Sequence, residues 1–193
     1  VEHGDRESVR FLLESGAKVR GRTRSAESPF VFAITRRRYD LIDLFLEFDV
    51  SLGSEGHGNT TPLIAASRIA DLRIIKKLLA AGAELDAPGP VIDRDPKYGP
   101  PLSSGDGVTP FLISCHDGRK EVAEFYLKNG ADLHKTDAKG RTALDAAILG
   151  RQVRICEWLI DLGLDPNAPN AKNGDLPIEI AANRTTPEVI RLL

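Results

Sequence analysis

The most regular stretch of the chain runs from Asp137 to Gly163, where two short apolar faces are separated by a break. Leu144, Ala147 and Ile148 recur at helical spacing, Gly150 and Arg151 interrupt them, and a second set follows at Val153, Ile155, Cys156, Leu159 and Ile160. Ahead of the first set, Asp137-Ala138-Lys139-Gly140 is a turn signal. Thr142 stands at a helix N-cap, where its hydroxyl can accept a hydrogen bond from an orphan N–H of the first turn. Gly163 closes the second set where a left-handed residue is wanted. The predicted unit is turn, short helix, turn, longer helix. Neither helix could bury its apolar face alone.

The unit recurs. Residues equivalent to Thr142 are Ser28, Thr61, Thr109 and Leu176, at intervals of 33, 48, 33 and 34. They open the motifs SPFVFA, TPLIAA, TPFLIS, TALDAA and LPIEIA. Pro29, Pro62, Pro110 and Pro177 fall at the first helical position, where a missing N–H costs nothing. Ala33, Ala66 and Ala147 are small where a neighbouring repeat packs closely. Gly16, Gly82, Gly130 and Gly163 end the longer helices, and Gly107, Gly140 and Gly174 turn the hairpins, with Asn59 in that place in the third repeat. Motif, period and glycines together resemble the ankyrin-repeat family over nearly the whole chain. The resemblance implies an all-α solenoid of about six helix-turn-helix repeats with hairpin loops, the first and last incomplete. The expected repeats cover residues 1–20, 21–53, 54–86, 102–134, 135–167 and 168–193 of a single domain.

The departures are local. Asp49-Val50 replaces Gly-Ala, and Phe30, Phe32, Phe45 and Phe48 make the second repeat aromatic, read as packing rather than a ligand box. The interval of 48 places an insertion of about 15 residues within 87–106, rich in Pro and Gly. It is either a plain surface loop or a recognition loop anchored by Val91, Ile92 and Tyr98. The missing Met and the apolar pattern running to Leu193 suggest a piece of a longer polypeptide.

Composition then excludes function classes. Lys and Arg total 26 against 28 acidic residues, a net charge of −2, so no bulk attraction to nucleic acid or membrane is expected. No apolar run approaches the roughly 18 residues a membrane helix needs, and no signal-peptide pattern opens the chain. Two cysteines make no disulfide framework; Cys115 and Cys156 read as buried thiols in a reducing, cytoplasmic or nuclear setting. His3, His57, His116 and His134 lie in different repeats without metal spacing. Cys115-His116-Asp117 suggests a nucleophile with a base, but neighbours on a helix diverge, and Cys115 is assigned to the small inter-repeat position. Gly53, Gly56 and Gly58 lack the context of a phosphate loop. No catalytic, cofactor or metal residue is expected.

What remains is surface. Stacked repeats form an extended concave face, which in this family carries the hairpin tips and the exposed side and C-terminal end of each first helix. Those positions are Glu27, Arg36, Arg37, Thr60, Arg68, Val108, His116, Asp117, Lys139, Arg141, Arg151 and Arg184. Six of the twelve are Arg. Cations at helix C-termini complement the macrodipole; the sharper reading is a basic strip that receives an acidic peptide or protein. The expected function is a non-catalytic protein-interaction module, monomeric as a domain. The alternative is a targeting or regulatory arm of a larger enzyme, channel or secreted effector. Separately, the run Leu159–Asn167 resembles the ankyrin segment modified by asparaginyl hydroxylases, which makes Asn167 a candidate for hydroxylation, with Pro166 an unfavourable neighbour.

Overall fold

The computed structural model describes residues 5–17, 19, 28–53, 60–89, 107–183 and 187–192. Among them eleven helices follow in order: α1 (Arg6–Glu14), α2 (Pro29–Thr35), α3 (Tyr39–Glu47), α4 (Pro62–Arg68), α5 (Leu72–Ala80), α6 (Pro110–His116), α7 (Lys120–Lys128), α8 (Ala143–Leu149), α9 (Val153–Asp161), α10 (Pro177–Asn183) and α11 (Pro187–Ile190). Each even-numbered helix has seven residues, and each odd one from α1 to α9 has nine. This is an all-α solenoid of helix pairs.

A hydroxyl placed before the first turn starts the short helices. Ser28, Thr61, Thr109 and Thr142 accept hydrogen bonds from the N–H of Val31, Ile64, Leu112 and Asp145 at 3.1–3.2 Å. At Thr142 the cap is reciprocal, because the Asp145 carboxylate accepts the Thr142 N–H at 2.9 Å. Leu176 has no side-chain acceptor, and only the reverse half of that box remains: its N–H donates to Glu179 Oε2 at 2.8 Å.

The short helices stack in one row, α2 on α4, α4 on α6, α6 on α8 and α8 on α10. All seven residues of α6 and of α8 are buried. Contact is closest at Gly150, where an added Cβ would lie 1.9 Å from the carbonyl oxygen of His116. Gly150 has an ordinary φ of −77°. It is therefore required by the approach of the α6 backbone, and is more than the helix breaker the sequence suggested. In the register of Ala33, Ala66 and Ala147 stands Ser114, not Cys115; its hydroxyl donates to Pro110 O at 2.7 Å, which lets a polar residue sit there fully buried. Phe30 and Phe45 pack as a tilted pair 5.5 Å apart, consistent with the packing reading of the aromatic repeat.

Between short and long helix the chain passes through left-handed backbone at Arg37 (φ 54°), Ala70 (53°), Gly118 (70°) and Arg151 (59°). Only one of the four is glycine. Non-glycine residues there cost on the order of 1 kcal/mol each. The row of short helices must supply what holds them.

The hairpins repeat as well. Asp137 N–H donates to Arg141 O at 3.1 Å, and Gly89 and Val108, in the same register, exchange two backbone hydrogen bonds of 3.0 and 3.1 Å. The span from 137 to 141 is thus replaced by the span from 89 to 108. Residues 90–106, which include Val91, Ile92 and Tyr98, lie outside the described residues, but the base from which they leave is closed. Gly89 is buried there, and a Cβ on it would meet Thr61 Cγ2 at 2.8 Å.

Candidate functional site

The proposed face begins at the C-terminal ends of the short helices. Arg36 is exposed and lies over the Phe32 ring at 5.4 Å. Arg37 is half-exposed because its left-handed backbone turns the side chain toward the next pair. There its guanidinium donates to Asp71 Oδ2 at 3.0 Å and to Ile69 O at 2.8 Å. Asp71 also accepts from Tyr39 Oη at 2.6 Å and N-caps α5 through the N–H groups of Arg73 and Ile74. Burial works against its charge, but Tyr39, the capped N–H groups and Arg37 together hold its pKa below the ordinary carboxylate value.

One pair along, Arg68 Nε donates to Asp117 Oδ2 at 3.1 Å, with the arginine side chain 19% exposed and the aspartate 0%. The other oxygen of Asp117 lies 2.7 Å from His116 Nδ1, also fully buried. This corrects two expectations. His116 and Asp117 are interior groups, not surface ones, because α6 is covered on every side. Adjacent side chains also converge here, because Asp117 is the C-cap, where the chain leaves the helix (φ −84°, ψ 5°). Val108 is buried as well, held in its bridge to Gly89.

Cys115 does not join that pair in chemistry. Burial, and secondarily the proximity of Cys156, pushes its thiol far above the range in which a thiolate forms. Burial raises Cys156 to about 12. Both cysteines are free and buried, and no trio of His, Cys, Asp or Glu among the described residues is placed to hold a metal.

At the hairpins, Asp137 is buried and binds its own loop. Its carboxylate accepts the N–H of Lys139 (2.9 Å) and of Arg141 (3.0 Å), and the Arg141 guanidinium at 2.6 Å. Arg141, with its side chain 13% exposed, is thereby a structural partner rather than an open contact. In the next repeat Asn170 takes the same role, accepting from Lys172 N–H at 2.9 Å. Lys139 and Arg151 are exposed, and Thr60 is half-buried, its hydroxyl without a hydrogen-bond partner among the described residues. Asn167 is exposed, its N–H donating to Asp165 Oδ1 at 2.8 Å. Glu27 and Arg184 lie outside the described residues.

The supporting acids Asp71, Asp117 and Asp137 were missed in the sequence as partners of the arginines. Arg37 and Asp71 are 34 residues apart, and Arg68 and Asp117 are 49 apart. Those separations equal one repeat interval plus a residue, which was the available signal.

A family model for ankyrin repeats in many copies matches residues 111–160. That segment contains the fully buried centre of the helix row. Residues 111–160 belong to the ankyrin-repeat family. The chain is 36% identical to the fowlpox virus ankyrin repeat protein FPV014 over 45% of its length, which is 20% of that protein. It is 22% identical to the Escherichia coli ankyrin repeat protein YahD, across the whole chain and 91% of YahD. It is 26% identical to the phosphocholine transferase AnkX of Legionella pneumophila, over 86% of this chain but 21% of AnkX. The matched regions thus cover about a fifth of two of these relatives. Ankyrin repeats are protein-interaction modules, and among the described residues no helix is long and apolar enough to cross a membrane.

Proposed function

We propose that this ankyrin domain is a non-catalytic, monomeric module that binds another protein through its hairpin and inner-helix face, and that the bound segment is acidic. The observation that carries the reading is the difference in exposure among the cations on that face. Arg68 and Arg141 are largely buried on Asp117 and Asp137, and half-exposed Arg37 pairs with Asp71 of the next repeat. Arg36, Lys139 and Arg151 are exposed on the same elements. Buried pairs set a rigid frame, and the exposed cations can meet carboxylates in charge-assisted contacts. A preformed surface of this kind binds with little backbone change. Two buried, protonated thiols favour a reducing, intracellular setting. Hydroxylation of Asn167 is a separate proposal, supported by its exposure; intact-mass analysis of native protein would show a gain of one oxygen.

The test is capture of partners from native lysate on the immobilised chain. Arg36→Glu, Lys139→Glu and Arg151→Glu are combined, and Arg154→Glu on α9 serves as the control. Specific capture is expected to fail with the triple variant and survive the control. Equal capture by both would contradict the reading. Reversing Arg37 or Arg68 is not a clean test, since it leaves Asp71 or Asp117 unpaired inside the protein.

A second reading is supported by the similarity to AnkX, a transferase of which the matched region is a fifth. In that reading the module is a targeting or regulatory arm of a longer effector. A catalytic segment elsewhere in the full polypeptide, whose activity changes when the arm is deleted, would favour it.

A further inference from the structure

The last interval between helix caps is 34 where the regular one is 33, and the extra residue lies in the hairpin before α10. In the regular hairpin Asp137 N–H closes on Arg141 O at 3.1 Å; in the last one Asn170 N–H closes on Asp175 O at 2.9 Å, one residue further on. Each tip turns on a glycine of positive φ, Gly140 at 76° and Gly174 at 78°. The residue before that glycine is Lys139 in one and Asn173 in the other. The longer hairpin therefore presents an Asn–Gly step at its tip.

Such a step carries an electrophile and a nucleophile in one dipeptide. The peptide nitrogen after Asn can reach the side-chain amide carbon, and a following glycine, with no Cβ, leaves the approach open. The sequence holds two of these steps, Asn129–Gly130 and Asn173–Gly174. Exposure does not separate them: all four residues are exposed, and neither glycine has a heavy atom within 4 Å of a Cβ position. The direction of the amide does. Asn129 Nδ2 donates to Phe125 O at 2.7 Å, so its amide lies back along α7, away from Gly130. Asn173 is turned the other way. Its Nδ2 donates to Asp175 Oδ2 at 2.6 Å, and its Oδ1 accepts the Asp175 N–H at 3.1 Å. Both ends of the amide are held by the residue beyond Gly174, which lays Cγ against the backbone that contains its nucleophile. The Asp175 N–H also stands where negative charge develops on Oδ1 as Cγ becomes tetrahedral. One bond opposes the attack and must open, from Gly174 N–H to Asn170 O at 2.9 Å.

We propose that Asn173 is a covalent modification site of this protein, where the hairpin tip deamidates itself through a cyclic imide with Gly174. Hydroxide takes the proton of the Gly174 nitrogen, which bonds to Asn173 Cγ. The Cγ–Nδ2 bond then breaks, and Nδ2 leaves as ammonia with a proton from water. Water opens the imide at either carbonyl and gives aspartate or isoaspartate. One water is consumed and one ammonia released, with no oxidant or reductant. The new carboxylate faces Asp175 where Asn173 had donated, so the tip loses that hydrogen bond and gains a negative charge. The inference does not depend on which partner the hairpin face binds.

The experiment incubates the purified chain in mildly alkaline buffer, folded and in guanidinium chloride, and then digests it with pepsin in acid, where the imide route is slow. Peptide masses report the exchange of NH2 for OH at each asparagine, and methylation by an isoaspartate methyltransferase reports isoaspartate. The denatured chain gives the reference rate of each step once the fold no longer aims either amide. Relative to that reference, the folded chain is expected to convert Asn173 at least tenfold faster than Asn129, and Asn173→Gln to remove the methylation signal. A folded chain that converts Asn129 as fast as Asn173, or that converts neither, would overturn the proposal. So would a methylation signal that survives Asn173→Gln undiminished.

Discussion

The two rows of helices are built from different interactions. The short helices α4, α6 and α8 touch one another through apolar and small residues, with one charged link from Arg68 of α4 to the α6 C-cap Asp117. Backbone meets backbone at Gly150, and a buried polar link runs out from the row, Ser67 to Tyr126. Among the described residues, charged side chains link the long helices to one another. Arg6 and Arg10 pair with Glu47 between α1 and α3, and Lys77 pairs with Asp43 between α3 and α5. Arg73 lies over Tyr39 at 4.8 Å, Lys76 over Phe125 at 5.8 Å and Lys120 over Trp158 at 5.7 Å. The row of short helices is also the one that carries the hairpins and the candidate face.

The contrast can be broken most severely at Gly150. Gly150→Ala places a methyl 1.9 Å from a backbone oxygen that no rotamer change can move. A loss of roughly 3 kcal/mol in urea unfolding is expected, at the upper end for overpacking; a loss under about 1 kcal/mol would mean that α6 and α8 can move apart.

Next comes the buried link. Ser67→Ala leaves the Tyr126 hydroxyl without its partner and should cost about 1–3 kcal/mol, the range for a stranded buried polar group. Adding Tyr126→Phe should recover some of it. The same cycle should leave partner capture unchanged.

Asp71 and Asp145 sharpen the comparison through pH, with opposite signs. The pKa of Asp71 is lowered in the fold, so its contribution is present above the unfolded carboxylate value and is lost as pH falls through the folded one. Asp71→Asn should cost about 1 kcal/mol at neutral pH and little in acid. Burial raises the pKa of Asp145, against the pull of its Thr142 hydrogen bonds. Its contribution is therefore present below the unfolded value and is lost as pH rises through the folded one. Asp145→Asn should gain on the wild type as pH rises from acid to neutral. Parallel pH profiles for the two variants would contradict these environments.

The smallest effects belong to the outer row. Lys76→Ala or Arg73→Ala should cost about 0.5–1 kcal/mol, as exposed cation–π contacts do.

Much of the row was legible in the sequence, because local chemistry writes it. Ser28, Thr61, Thr109 and Thr142 cap as read, and Gly16, Gly82, Gly130 and Gly163 all adopt positive φ. Less of the candidate face was legible. Exposure of a short helix depends on how closely its neighbours approach, and that distance is set by Gly150 one repeat away from His116. The repeat pattern places His116 and Asp117 at the surface although the stack covers them, and Val108 likewise although its bridge to Gly89 buries it. Arg68 and Arg141 were read as open cations because their acids lie across a repeat boundary or around a hairpin. The left-handed turns at Arg37, Ala70 and Arg151 carry no glycine to announce them.

Close backbone packing along the inner row and charged contacts between the outer helices should respond differently to salt. Native-state amide hydrogen exchange of α3, α5, α6 and α8, at low salt and in about 1 M NaCl, tests it most directly, since the Debye length falls to about 3 Å at that ionic strength. The expected result is that α6 and α8 exchange only through global unfolding at both salts, while α3 and α5 open more readily and faster still in high salt. Equal protection of all four helices, unchanged by salt, would contradict it.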